Sequence, residues 1–172
     1  MIYAHLPTFY GLETKLFDPE EGIADPNYAY RITAHEEDDD TFTGFLESFC
    51  ADPNVGKVKA FIVGDWGEAH DYSAQDAVNP IIAARDKLSG LEALFIGDIM
   101  SEECEISWIK QTAMEPLLKA FPRLKELRVR GTDGLELGPL KHDSLETLAV
   151  ECGGLPPSVL SEVCNAQLPA LK

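Results

Sequence analysis

The chain has 172 residues, a length typical of one domain or one repeat array. It carries 30 acidic and 14 basic residues, which give a formal net charge of −16. Binding to nucleic acid or to an anionic membrane surface is therefore not expected, because both need clustered lysine and arginine. Hydrophobic residues make up 45% of the chain, enough to bury a sizeable core.

The spacing of the cysteines and the length of the apolar runs indicate the cellular compartment of the protein. Cys50, Cys104, Cys152 and Cys164 lie far apart, with no C-x-x-C pair, so free thiols are expected rather than a metal knuckle or a disulfide framework. No apolar run reaches about 18 residues, and the first residues lack a basic region followed by an apolar stretch. These observations predict a cytoplasmic protein.

Residues 1–35 show strand signals but no repeat. One short strand is predicted around Lys15–Phe17. A second is predicted at Tyr28–Thr33, where bulky and smaller or more polar residues alternate as in a half-buried strand. We interpret residues 1–35 as an N-terminal cap and residues 36–172 as one continuous repeat array.

An acidic run, Glu36–Asp40, follows the cap. It is read either as a site for a cation or basic partner or as a solvated loop in which Asp40 caps the next helix. Phe42, Phe45, Leu46 and Phe49 then recur at helical spacing. Further helices are predicted over 75–89, over 106–120 with a kink or split at Pro116, and over 157–166, whereas the glycines of 131–143 exclude a long helix there.

Four segments share the pattern L-x-x-L-x-L, in which apolar residues occupy the first, fourth and sixth positions. They are Val58–Val63, Leu91–Ile96, Leu124–Val129 and Leu145–Val150, and Leu168-Pro-Ala-Leu171-Lys172 is interpreted as the first half of a fifth copy. The pattern is that of a leucine-rich repeat, in which each unit buries its apolar face only against its neighbours. The chain is accordingly expected to end in mid-repeat.

The chain resembles helix-containing leucine-rich repeat proteins of the ribonuclease-inhibitor-like kind over about 55–172. The stretches Gly22–Pro26, Tyr28–Arg31 and Phe61–Trp66 more narrowly resemble a family of uncharacterised bacterial proteins with such repeats. The resemblance implies an α/β, right-handed solenoid with parallel strands on the concave side and helices on the convex side. The usual asparagine or cysteine after each strand is absent, which predicts irregular loops.

The expected function is binding through the concave face and the loops after the strands. Residues between the inward strand positions are expected to face that open side, and Gly64-Asp65 and Gly97-Asp98 share a register that places two carboxylates side by side. The alternative is that both aspartates cap turns, with Arg128 or Arg130 as a partner. The candidate binding residues are Ile62, Asp65, Phe95, Asp98, Arg128, Arg130 and Glu151.

Two other functions stay open. No catalytic, metal-binding or cofactor motif is present, so no catalytic residue, metal or cofactor is assigned, but an enzyme or metal-binding site near Asp65, His70 and Asp98 is the alternative. The C-terminal edge of the array is expected to lack a polar capping repeat, which favours either a fragment of a longer array or a homodimer or scaffold formed through that edge. The leading prediction is a non-enzymatic module for an unknown protein or peptide.

Overall fold

The computed structural model describes residues 2–35 and 40–172, and it is a mixed α/β protein around one curled sheet. Seven strands lie in chain order, and only the first pair is antiparallel. The strands are β1 Thr8–Phe9, β2 Leu12–Leu16, β3 Ala29–Ala34, β4 Ala60–Trp66, β5 Ala93–Ile96, β6 Glu126–Arg130 and β7 Thr147–Glu151. The helices are α1 Phe42–Ala51, α2 Gln75–Ala83, α3 Glu115–Ala120 and α4 Pro157–Cys164, with a 3₁₀ turn at Val55–Lys57.

The four L-x-x-L-x-L segments contain neighbouring parallel strands and align with one another. Their central apolar residues are paired strand by strand in the order Phe61, Leu94, Leu127, Leu148. Strands β4, β5 and β6 begin 33 residues apart, and β7 follows after a shorter step. The sequence pattern therefore predicts both the presence and the relative register of these strands.

The sheet buries apolar residues on both faces. One face, which we call the helix face, carries Leu94 and Leu127 and packs with the buried residues of α1, α2 and α3 in the main core. The other, the hairpin face, carries a smaller cluster that includes Phe9, Ile62 and Phe95. Strands β4 and β5 are buried along their whole length, as is usual for parallel strands covered on both sides.

The N-terminal segment extends the same sheet. Strand β3 pairs in parallel with β2 on one side and β4 on the other. Tyr30 and Ile32 lie in the main core, as the alternation predicts. Arg31 and Thr33 on the opposite face are partly exposed, as predicted for a half-buried strand, but Ala29 on that face is fully buried, beneath the hairpin formed by β1 and β2.

Helix α1 begins where the sequence predicts, but with a different cap. The Thr41 hydroxyl accepts a hydrogen bond from the Gly44 amide at 3.2 Å, so Thr41 is the N-cap. Asp40 instead accepts from the amide of Thr41. The rest of the acidic run, residues 36–39, lies outside the described residues.

The predicted helix over 106–120 is wrong over residues 106–114. Residues 106–108 form a turn, and Lys110 and Ala113 form isolated parallel bridges with Asp133 and Glu136. Helix α3 therefore covers only Glu115–Ala120, with Pro116 in its first turn, where the missing amide hydrogen costs nothing. Helix α2 is also shorter than predicted, whereas the absence of a helix from 131–143 and the presence of α4 are confirmed.

The fifth copy of the motif is displaced by three residues from the predicted alignment. The Leu171 amide bonds to the Leu168 carbonyl, as the Leu91 amide bonds to Leu88 and the Leu124 amide to Phe121. Leu171 thus takes the first motif position, which sequence reasoning assigned to Leu168. The error arises because the turns before β4, β5 and β6 also end in two apolar residues spaced three apart, Val55/Val58, Leu88/Leu91 and Phe121/Leu124.

Candidate functional site

A hairpin from the N-terminus covers much of the face on which binding was predicted. Phe9 lies 6.0 Å from Phe95 between ring centroids, and both rings are buried. Leu6, Tyr10 and Leu12 pack around them. The prediction that Ile62 and Phe95 face an open surface is therefore wrong, since both are completely buried in this second apolar cluster.

Polar contacts tie the hairpin segment to the edges of the sheet. Ile2 and Ser101 exchange two hydrogen bonds of 2.9 Å. The Tyr10 hydroxyl donates to Glu92 at 2.8 Å across the sheet. Tyr10 and Gly11 both have positive φ, 54° and 71°, which matches the tight two-residue turn between β1 and β2. A tyrosine is strained in this conformation, so its side-chain contacts help to hold the turn.

Asp98 is the centre of a buried charge cluster. Its carboxylate is fully buried and lies 3.2 Å from both Arg31 Nη1 and Arg130 Nη1. His5 Nδ1 lies 3.0 Å from the Asp98 carbonyl oxygen and 3.5 Å from its carboxylate. The predicted partnership of Asp98 with Arg130 is confirmed, and the cluster joins the N-terminal segment, β3 and β6.

Asp65 has a different role from Asp98. Its Oδ1 accepts hydrogen bonds of 3.1 Å from the amides of Gly67 and Ala69, so it caps the loop that leaves β4. Burial raises the pKa of this carboxyl, and the hydrogen bonds from the two amides partly offset the rise. These contacts correspond to the predicted turn-capping alternative for Asp65.

The two Gly-Asp pairs share a sequence register but not a backbone conformation. Strand β4 continues through Gly64 to Trp66. Its backbone at Gly64 is so close to the neighbouring strand that an added Cβ would lie 2.8 Å from the Thr33 side chain. Strand β5 ends at Ile96, and Gly97 has φ +93°, a conformation that L-residues rarely adopt. The chain therefore turns before Asp98 but not before Asp65, so the two side chains meet different partners.

Arg128, Arg130 and Glu151 form a connected group on β6 and β7. Arg130 Nε donates to Glu151 at 2.8 Å and Arg128 Nη1 donates to it at 3.1 Å. Both guanidinium groups lie over the Phe95 ring, 5.0 and 5.6 Å from its centre. Arg130 is almost fully buried, whereas about a quarter of the Arg128 side chain is exposed (26%).

On the hairpin face of the sheet, strands β6 and β7 are accessible to solvent. Glu126 and Arg128 on β6 are partly exposed, and so is Ala149 on β7, while Thr147 is exposed. We call these residues, with Glu151, the β6–β7 strip. Of the seven residues predicted to bind, only Arg128 and Glu151 belong to it.

His70 lies in the loop after β4, away from the Asp98 cluster. Its ligand atom and those of Glu68 and Asp71 lie within 4.8 Å of one another. His70 Nε2 is 3.6 Å from the Asp71 carboxylate, and both side chains are exposed. The predicted set Asp65, His70 and Asp98 therefore does not form one site, because Asp65 caps its own loop and Asp98 is enclosed by arginines.

The residues that cover the hairpin face were not predicted from the sequence. A signal was available in the strand register, since Ala29, Ala60 and Ala93 are aligned on neighbouring strands. Such a row of small side chains leaves room for a covering segment, here the hairpin with Phe9. Arg31 was also missed, because its partner Asp98 is 67 residues away in the chain.

The chain matches no protein-family profile and no protein of curated function. It is similar to a protein from Bacteroides fragilis whose crystal structure was solved as a structural genomics target, with 32% sequence identity and a TM-score of 0.70. The alignment covers 77% of this chain and 37% of the other, so this chain spans little more than a third of that protein's length. The likeness supports a repeat-like fold with a curled sheet.

The described residues contain no helix that is long and apolar enough to cross a membrane. All four cysteines are free thiols: Cys50 and Cys104 are buried, Cys152 is partly exposed and Cys164 is exposed. Burial raises the pKa of the Cys104 thiol to about 11. This shift disfavours the reactive thiolate form at Cys104.

Proposed function

We propose that the chain is a non-enzymatic protein-binding module built as a helix-containing leucine-rich repeat solenoid. Its support is the alignment of one sequence motif on four neighbouring parallel strands, with helices packed on one face of the sheet. In such arrays each repeat contacts its neighbours, and the aligned strands present an extended binding surface. The unknown ligand is a protein or peptide.

The β6–β7 strip is the binding surface in this proposal. The observation that carries it is the contrast along the hairpin face, where β4 and β5 are buried but Thr147 on β7 is exposed. The strip combines both signs of charge, and Arg128 is held in place by Glu151 at 3.1 Å and by Phe95. Pre-positioned charged groups lower the cost of ordering side chains upon binding.

Affinity capture with matched variants tests this assignment. Wild-type protein and the variants Thr147→Arg and Thr43→Arg are immobilised and exposed to extract of the organism that carries the gene. Both threonines are exposed, but Thr43 lies on α1, on the helix face. We expect a partner captured by wild type and Thr43→Arg to bind Thr147→Arg at least about tenfold more weakly, because a bulky cation beside Glu126 would block one end of the strip.

Equal capture by all three proteins would contradict the β6–β7 strip. Arg130 is not a suitable site for this test. Arg130 is nearly buried and pairs with Asp98 and Glu151, so reversing its charge would disturb the fold itself.

Separate measurements test the two alternative functions. A thermal-shift screen with divalent ions addresses a metal-binding protein, and a stabilisation lost in His70→Ala would favour that alternative. Light scattering over a range of protein concentrations addresses self-association. A monomer at all concentrations would count against a homodimer formed through β7.

A further inference from the structure

The residues that immediately precede the strands form a ladder along one edge of the sheet. The Lys59 carbonyl accepts from the amides of Glu92 and Ala93, and the Glu92 carbonyl accepts in turn from Lys125 and Glu126. The side chains at this position alternate in charge. Lys59 Nζ lies 3.6 Å from Glu92, and Lys125 Nζ lies 2.6 Å from Glu92 on its other side.

A groove of about 450 Å³ runs along this edge, and we call it the strand-start groove. Its charged residues are Lys57, Lys59, Arg123, Lys125 and one carboxylate, Glu92. Four of the chain's 14 basic residues are thus gathered at one groove of a protein with net charge −16. The remaining lining residues are Gly56, Ser89, Gly90, Leu91 and Ser144.

The one carboxylate of the groove is already engaged. Glu92 accepts hydrogen bonds from Lys125 and, at 2.8 Å, from the Tyr10 hydroxyl. The Lys125 bond, followed by the Tyr10 bond, lowers the pKa of the Glu92 carboxyl. Glu92 therefore stays ionised and offsets only part of the positive charge, so the groove keeps an excess of cations.

The four cations have donor capacity to spare. Arg123 Nη2 donates to the Ser89 carbonyl, which orients a guanidinium that has five N–H donors. Lys57 donates to the Asn54 side chain at 3.0 Å, and an ammonium group carries three donors. Lys59 is more than half exposed. An anion entering the groove would meet cations from two turns, one before β4 and one before β6.

We propose that the strand-start groove binds an extended acidic segment of a partner protein. Lys59 and Lys125 precede strands β4 and β6, which are separated by β5, so their backbones are about 10 Å apart. Acidic residues at positions i and i+3 of a peptide in the polyproline II conformation have nearly the same spacing and point to the same side, because this conformation has three residues per turn and advances about 3.1 Å per residue. The peptide would lie across the strand starts, with Arg123 between the two contacts.

The overall negative charge does not prevent this binding. At physiological ionic strength the Debye length is about 8 Å, so carboxylates farther than that from the groove are largely screened from a bound peptide. The groove is a different surface from the β6–β7 strip, and the two proposals can fail independently.

Fluorescence anisotropy with a labelled peptide tests the proposal. The probe has glutamate at every third position, separated by alanines, and the reference probe has glutamine at those positions. Variant Lys59→Gln/Arg123→Gln removes two groove cations, and Lys15→Gln/Lys119→Gln removes two cations that lie elsewhere in exposed ion pairs. Circular dichroism checks that both variants keep the wild-type fold.

We expect the glutamate probe to bind at least about tenfold more tightly than the glutamine probe at low salt, as several ion pairs of ordinary strength would give. The groove variant should weaken that binding about fivefold or more, and the control variant less than about twofold. Equal weakening by both variants, or no preference for the glutamate probe, would overturn the proposal. Displacement by inorganic phosphate at an ionic strength at which sodium chloride has no effect would also overturn it, since a site for one phosphate does not require an extended peptide.

Discussion

Replacing Asp98 by alanine should destabilise the protein more than any other removal of a single carboxylate discussed above. The carboxylate is completely buried and lies 3.2 Å from two arginines, so its removal leaves Arg31 and Arg130 without their shared anion. Breaking a buried pair in this way typically costs about 3–5 kcal/mol. Arg130 retains Glu151 and the Ile99 carbonyl, which places the expected loss near the lower end of that range.

Urea unfolding followed by circular dichroism measures this loss as a change in the free energy of unfolding. The matched control is Asp71→Ala, which removes an exposed carboxylate lying 3.6 Å from His70 and should cost under about 1 kcal/mol. A loss below about 1 kcal/mol for Asp98→Ala, or equal losses for both variants, would refute the view that Asp98 holds the N-terminal segment, β3 and β6 together.

Three further predictions concern the core, the thiols and pH. Leu127→Ala should lower the free energy of unfolding by about 2–5 kcal/mol, whereas Leu171→Ala, at an exposed position, should cost under about 1 kcal/mol in the same urea assay. In the folded protein at neutral pH, Cys164 should react with maleimide much faster than Cys104, as mass spectrometry of labelled peptides would show; equal rates would contradict the assigned burial. Because burial raises the pKa of Asp65 when the protein folds, ionisation of Asp65 costs stability as pH rises from its ordinary range near 4 through the raised pKa. Wild type should therefore lose stability relative to Asp65→Asn over that window in urea melts, and a constant difference between the two proteins would contradict this assignment.

Local patterns were sufficient to predict the strands of the repeat. Leu94 and Leu127 occur at the same motif position and are paired on neighbouring strands, because an apolar side chain at that position has to be buried against the next unit. The helix over 106–120 failed for a reason that local patterns do not contain. Its first part pairs with residues 133 and 136 instead, and such bridges depend on where the following loop lies.

The candidate site was harder to predict than the fold. Arg128 and Glu151 lie on the strip as expected, but Ile62 and Phe95 are covered by a segment from the other end of the chain. Gly64-Asp65 and Gly97-Asp98 look equivalent as sequence, yet the positive φ of Gly97 directs Asp98 to different partners. Basic residues 57, 59, 123 and 125 show no clustering until the strand starts are placed side by side.

The sequence by itself determined the repeat, the order of its strands and the apolar side chains that face the helices, because these follow from short-range periodicity and from the need of each unit to bury its face. Only the tertiary structure decided which parts of the other face remain accessible. Burial of Phe9 on Phe95, the Asp98 cluster and the cations of the strand-start groove all join residues from distant parts of the chain. Contacts of this kind depend on the curvature of the sheet and on the path of the N-terminal hairpin, and no single segment of the sequence determines either.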